Sequence, residues 1–288
     1  MAEELHPGLR LVRAPNPSPL TGTGTNSWII GTGALVVIDP GPALPVHLAA
    51  LLAAIGQARV EAILVTHAHL DHSALAPALS RATGAPILAH APQDGIPTAP
   101  PDAGEGLDRA FRPDMALADG ATWRGAPGEI RALHTPGHLH DHLCLLWEGM
   151  AFSGDHVMGW ASSVISPPEG DMGAYMTSLD RLAAAKATCL LPGHGDKVTD
   201  PSARIAALAA HRRAREAAIL AALAAGHAPI AALVARLYAD TPPALHPAAA
   251  RNVLAHLLDL HRRNEVTALP APGLAALWRR SGTGPDGR

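Results

Sequence analysis

Apolar residues in this chain fall into short, partly β-branched runs closed by turn residues, with longer stretches of helical spacing between them. Residues 9–40 read as a β meander. Trp28-Ile29-Ile30 and Leu35-Val36-Val37-Ile38 are strands joined at Gly31-Thr32-Gly33, and Asp39-Pro40-Gly41-Pro42 breaks the second and leads into a helix over 45–55. Residues 60–65 form a buried strand. A helix over 73–83 follows, apolar at Leu75, Ala78 and Leu79 and stopped at Gly84. Residues 86–90, 129–133, 143–147 with Ala151-Phe152, and 189–191 continue the series of strands, and 171–187 read as a helix. Beyond 200 the pattern turns helical. Asp200 caps a helix with Pro201 at its first position, and helices over 230–238 and 247–263 precede a hairpin of 266–269 and 274–278. The expected division is 1–200, 201–280 and a frayed end at 281–288. Two loops stand out: residues 16–26, rich in Pro, Gly and Thr, and residues 91–113, long enough to act as a lid over a pocket.

Composition narrows the class. The chain has 288 residues, 48% of them hydrophobic but only 3% aromatic, so its core is built mainly of Ala, Leu, Val and Ile. The net charge of −3 favours no polyanionic partner overall, but it is unevenly spread. Residues 201–288 carry eleven Arg, no Lys and five acidic residues, a balance of +6, against −9 for the first 200. Cys144 and Cys189 sit in apolar segments as free thiols and make no disulfide framework. The acidic amino terminus has no signal-peptide pattern, and no apolar run is long enough to span a bilayer. The expectation is a cytoplasmic protein with no membrane partner, in which self-association is open.

The chemistry lies where strands end. Thr66-His67-Ala68-His69-Leu70-Asp71-His72 follows one strand directly. On extended backbone His67 and His69 point the same way and can grip one cation, while Asp71 and His72 can reach a second. The alternative is a polar loop that happens to hold histidines. Three further strands also run into such residues: His134-Thr135-Pro136-Gly137-His138, Ser153-Gly154-Asp155 and Pro192-Gly193-His194-Gly195. Four strand ends of one kind argue for a single convergent site, because ligands bind at the carboxyl edge of α/β sheets. Asp39 also ends a strand, either as support for a metal-binding histidine or as a turn residue. Tyr175 either faces the cleft or packs in the core, and His90 reads as structural. His140 and His156 have no clear place, and each is read as a neighbour of the site. No serine-hydrolase elbow and no dinucleotide-binding glycine pattern is present.

The series THAHLDH, HTPGH, FSGD and PGHG resembles the metallo-β-lactamase superfamily, and within it the glyoxalase II-like and lactamase-beta-like-2 group. Asn16 to Pro19 and Gly24-Thr25-Asn26 extend the resemblance toward the amino terminus. The tail resembles the small winged-helix domain of that group. The resemblance implies a four-layer αββα sandwich, an α/β (α+β) fold, with a binuclear metal site at one edge. By motif His67, His69 and His138 would hold the first metal, Asp71, His72 and His194 the second, and Asp155 would bridge them. Leu139 stands where the family usually has Thr or Ser, which alters packing and not the ligand set. No Cys ligand appears, unlike some true β-lactamases of the fold.

The implied reaction is hydrolysis, with a metal-bridging hydroxide attacking an ester or thioester carbonyl. Asp71 and His72 would be the catalytic pair, and Asn26, Asp39, His142 and Tyr175 would support the site or substrate. The ions would be two divalent metals, Zn2+ by default, with Fe or Mn as alternatives. The second reading is a single-strand-specific endoribonuclease with RNA as partner, suggested by Arg212-Arg213, Arg262-Arg263 and Arg279-Arg280. The tail offers only Tyr238 and Trp278 to stack on bases. A non-hydrolytic di-iron oxidoreductase and a nucleic-acid-binding regulator complete the alternatives.

Overall fold

The computed structural model describes residues 2–91 and 106–282. The first sheet holds seven strands in sequence order: β1 (Glu3–His6), β2 (Leu9–Arg13), β3 (Asn26–Ile30), β4 (Ala34–Ile38), β5 (Arg59–Leu64), β6 (Ile87–Ala89) and β7 (Met115–Ala116). The first four pair antiparallel and the rest parallel. The second sheet holds β8 (Thr122–Gly125), β9 (Gly128–His134), β10 (Leu143–Trp147), β11 (Met150–Gly154) and β12 (Cys189–Pro192), ordered β12-β11-β10-β9-β8.

Period-two alternation sorts the side chains into layers. Trp28, Ile30, Ile38 and Leu64 meet Leu143, Leu145 and Phe152 between the sheets. Ile29, Val37 and Ile63 point the other way, onto α1 (Pro45–Ile55) and the helical turns that follow β5. Cys144, Ala151 and Leu190 face α4 (Met172–Ala184) and the start of α5 (Pro201–Leu223). Both sheets are therefore covered on both faces, which is why their central strands read as continuous apolar runs. This is the αββα sandwich the motifs imply.

Three details depart from the pattern reading. The strand β1 has no apolar signature, because its residues are mostly exposed. The helix expected over 73–83 is two pieces, α2 (Leu70–Ser73) and α3 (Ala76–Thr83), so Asp71 and His72 lie on a helical turn. The last strand of the tail begins later than expected, at Leu277.

The tail forms its own small core. A sheet of β13 (Ala228–Pro229), β15 (Leu277–Arg280) and β14 (Val266–Leu269) packs with α6 (Ile230–Leu237) and α7 (His246–Arg262) around Leu223, Leu233, Val253, Leu257 and Trp278. Asp200 accepts a hydrogen bond from the Ala203 amide at 3.0 Å, with Pro201 in the first turn. Among the described residues no helix is long and apolar enough to cross a membrane. Residues 92–105 and 283–288, which hold most of the expected lid and most of the expected frayed end, lie outside the described residues.

Candidate metal centre

The chain folds so that β5, β9, β11 and β12 deliver their carboxyl ends to one edge of the sandwich. Two groups of side chains meet there: His67, His69, His138 and Asp155, and beside them Asp71, His72 and His194. All seven ligand positions implied by the motifs are brought together. Their close approach requires small neighbours. A Cβ at Gly193 would lie 2.5 Å from His72 Cε1 and 2.6 Å from Asp155 Oδ1. Gly137 has φ +144°, and a Cβ there would sit 2.4 Å from Tyr175 Cα.

The hydrogen bonds around the rings fix their tautomers. His138 Nδ1 donates to the Val164 carbonyl at 2.7 Å, and His72 Nδ1 donates to Asp39 Oδ2 at 3.0 Å. Thr66 Oγ1 donates to Asp39 Oδ2 at 2.8 Å, so it accepts from His67 Nδ1 at 3.0 Å. His194 Nδ1 faces the Gly24 carbonyl at 3.3 Å. The Nε2 lone pairs of these rings therefore turn inward. His67 Nε2 and His138 Nε2 each lie 3.0 Å from His69 Nδ1, and His72 Nε2 lies 3.4 Å from His194 Nε2. Among the described residues, buried Asp155 Oδ1 has no hydrogen-bond donor, and it lies 3.4 Å from both His72 Nε2 and His194 Nε2. The few ring protons available cannot satisfy so many inward-facing nitrogens and carboxylate oxygens at once, and a cation between them would. Imidazoles mixed with carboxylates suit a divalent metal that keeps an open position.

Burial drives His67 and His138 below the usual histidine range and His69 to about 3, which keeps these rings neutral. Burial also pulls on His72 and His194. There the Asp71 and Asp155 carboxylates outweigh it, and His194 rises to about 9. Burial opposes the charge on Asp71 and Asp155, yet His72 and His194 hold both carboxyls well below their ordinary value. A proton on these two rings takes the place that a cation between the carboxylates would hold.

A buried shell holds this arrangement. Asp39, at φ 51°, is both turn residue and support: Oδ1 accepts from the Thr66 amide at 2.7 Å while Oδ2 serves Thr66 and His72. Asn26 donates to the Pro192 and Gly195 carbonyls at 3.0 and 2.8 Å, fixing the turn that carries His194. His142 Nδ1 lies 2.9 Å from Thr135 Oγ1, and its Nε2 accepts from the Asp155 amide at 3.2 Å. Tyr175 does not face the cleft. It is fully buried and donates to the His156 carbonyl at 3.1 Å, so of the two readings the structure favours core packing. Neither His140 nor His156 joins the ligand groups. His90 stacks on His134 at 4.2 Å, also outside them.

Three supporting residues escape the sequence reading. Thr66 sits inside the first motif and is legible there. Thr25 donates to Asp71 Oδ2 at 3.2 Å, across a separation only folding closes. Asp141 accepts from the Ala68 amide at 3.1 Å, and burial pushes its carboxyl up to about 7.

A cleft of about 680 Å³ opens over the site. His69, Asp71, His138, Asp155 and His194 form its floor. Leu20, Met158, Trp160, Val164, Leu245 and Pro247 make apolar walls, the last two coming from the tail. Leu20 and Trp160 are 55% and 47% exposed at its rim.

Fold and site together define an αββα sandwich with a histidine- and aspartate-rich cluster suited to hold metal. The profile of the metallo-beta-lactamase superfamily matches residues 20–194, and that of the beta-lactamase associated winged helix domain matches 230–271. The chain belongs to the metallo-beta-lactamase superfamily and is one of its hydrolases. It is similar to an atrochrysone carboxyl ACP thioesterase from Aspergillus chevalieri, 32% identical over 229 residues, 77% of this chain and 67% of that protein. It is also similar to the Drosophila melanogaster beta-lactamase-like protein 2 homolog, 32% identical over 87% of each chain. A metallo-beta-lactamase family protein from Thermus thermophilus superposes with a TM-score of 0.79 at 26% identity, over 96% of this chain and all of the other.

Proposed function

We propose that this chain hydrolyses a thioester or ester of a largely apolar acyl group, using two divalent metal ions. His67, His69 and His138 would hold one ion, Asp71, His72 and His194 the other, with Asp155 between them. Such a pair supplies Lewis acidity and lowers the pKa of bound water from 15.7 to about 7. The protein's own groups do the rest. Asp71 Oδ2 lies 3.2 Å from both Thr25 Oγ1 and His194 Nε2 at the cleft floor, placed to orient the attacking water and take its proton. His72, its Nδ1 proton held by Asp39, presents Nε2 to the site 3.5 Å from Asp71 Oδ2. The apolar walls exclude solvent and align the acyl chain.

The observation that carries this reading is the mainly apolar cleft above a histidine and aspartate floor. It suits an acyl chain and offers a nucleic acid little. The name of the Aspergillus relative points the same way. The ribonuclease reading rests on arginine pairs in the tail, and several of these are engaged elsewhere. Arg212 is buried, Arg262 pairs with Asp171 and Asp259, and Arg263 pairs with Glu216, Asp259 and Glu265. Zinc is the proposed metal, since imidazole-rich hydrolytic sites favour it, with iron or manganese as the competing assignments. A cytoplasmic setting is proposed from the two free thiols.

The test is elemental analysis of purified protein followed by parallel assays on acyl thioesters and single-stranded RNA. The expected result is two metal ions per chain and thioester turnover. His67→Ala and Asp155→Ala should stay folded and lose metal and turnover together. Full activity in metal-free His67→Ala would overturn the assignment, and steeply salt-dependent RNA cleavage would replace the substrate class.

A further inference from the structure

Residues 158–167 form neither helix nor strand, yet they line the cleft with Met158, Trp160 and Val164. Side chains of α5 and α7 make most of the hydrogen bonds to their backbone. Arg204 donates to the Met158 and Ala161 carbonyls, each at 2.7 Å. Arg212 donates to the Ser163 carbonyl, and at 3.3 Å to Asn252 Oδ1. The same Asn252 oxygen accepts from the Ile165 amide at 3.0 Å. Between those two anchored residues lies Val164, whose carbonyl receives the His138 Nδ1 proton at 2.7 Å.

Arg212 is a costly residue to keep for packing alone. It is 2% exposed, its Nε has no hydrogen-bond partner among the described residues, and its guanidinium lies 5.2 Å from the centroid of the Tyr175 ring. Buried ionic groups of this kind rarely stabilise a fold relative to apolar residues of the same size. In some proteins such groups are kept because they fix one geometry.

The geometry points to Arg212 and Asn252 as positioning residues for the metal centre: α5 and α7 clamp residues 163–165 so that the Val164 carbonyl holds the His138 ring in its ligating tautomer and orientation. This rests on the reading that His138 is a ligand. A ligating histidine depends on the acceptor at its other nitrogen, and loss of such an acceptor weakens metal binding about ten- to hundred-fold. The tail would then be part of the metal site without contributing a ligand.

The experiment uses the full chain and three kinds of variant. Asn252→Leu and Arg212→Met remove the clamp with side chains of similar size. Asn252→Asp keeps the oxygen. Arg215→Met is the control, because Arg215 lies on α5 but packs on the Tyr238 ring and donates to the Leu237 carbonyl. Zinc affinity is measured by chelator competition, and thermal unfolding is followed on metal-free protein. The expected result is about ten- to hundred-fold weaker binding of one ion in Asn252→Leu and Arg212→Met. Asn252→Asp should bind as the parent does, and Arg215→Met should lose unfolding temperature only. Unchanged affinity in both clamp variants would overturn the inference, as would an equal loss in Arg215→Met. Insolubility of both clamp variants would assign the pair to the folding core and overturn it too. A parent protein that binds no metal would instead refute the binuclear reading, so the two failures are distinct.

Discussion

Asp39 shows how much one carboxylate can organise. One oxygen holds the Thr66 amide, and the other takes protons from Thr66 and His72. Asp39→Asn would place an N–H toward either the Thr66 amide or the His72 Nδ1 proton, and donors would face donors. Metal affinity is expected to fall about ten- to hundred-fold, with the backbone fold retained. Chelator competition against the parent checks this, and unchanged affinity would show that Asp39 acts as a turn residue alone. The position at a strand end makes Asp39 visible in the sequence, but not which of its two roles applies. That choice depends on Thr66 and His72 arriving from the segment that follows β5. Tyr175 illustrates another case: its sequence position leaves cleft and core equally open, and tertiary packing chooses the core.

At the scale of elements, α7 carries a burden that its pattern does not reveal. His256 is 1% exposed on its inner face, and burial, with Arg212, Arg215, His211 and Arg263 nearby, pushes its pKa down to about 3. An unfolded histidine takes a proton near its ordinary value of 6.5. Between those two pH values the unfolded chain binds more protons, so acid draws the equilibrium toward it. His256 therefore contributes stability that is present above about pH 6.5 and is lost as pH falls toward about 3, at up to about 1.4 kcal/mol per pH unit. His256→Phe should flatten the acid limb of metal-free protein. Unfolding midpoints in denaturant at about pH 6.5 and about pH 4.5 measure the difference, and an identical acid slope in both proteins would refute the assignment. The helices themselves are legible from apolar spacing and capping, as at Asp200 and Pro201. The break between α2 and α3 is not, because Ser73 to Ala76 continues a helical spacing. There the chain turns to set Asp71 and His72 over the site.

For the whole molecule, α5 joins two cores. Ile205, Leu208 and Ala209 cover the second sheet beside Tyr175 and Leu190, while Ile219 and Leu223 belong to the tail. A chain ended after Asp200 would leave that sheet face to α4 alone and lose about 1.5–3 kcal/mol for each large aliphatic side chain removed. It is expected to be insoluble, or to unfold well below the full protein. A soluble truncation with the parent's melting temperature would show that the sandwich stands alone.

The layering and the full grouping of the site residues came with the resemblance of the motifs to a family. The apolar runs, their turns and the strand-end histidines and aspartates are local facts, so the amino-acid order alone determined the elements and the residue types gathered at their ends. Short-range spacing carries that information because strand and helix periods are properties of the backbone. Four matters depended on contacts between residues far apart in the chain: the reach of Thr25 to Asp71, the tautomers of the clustered histidine rings, the burial of Tyr175 and the hold of the tail on residues 158–167. Only packing brings those partners together, and only packing decides which polar atoms are left facing one another.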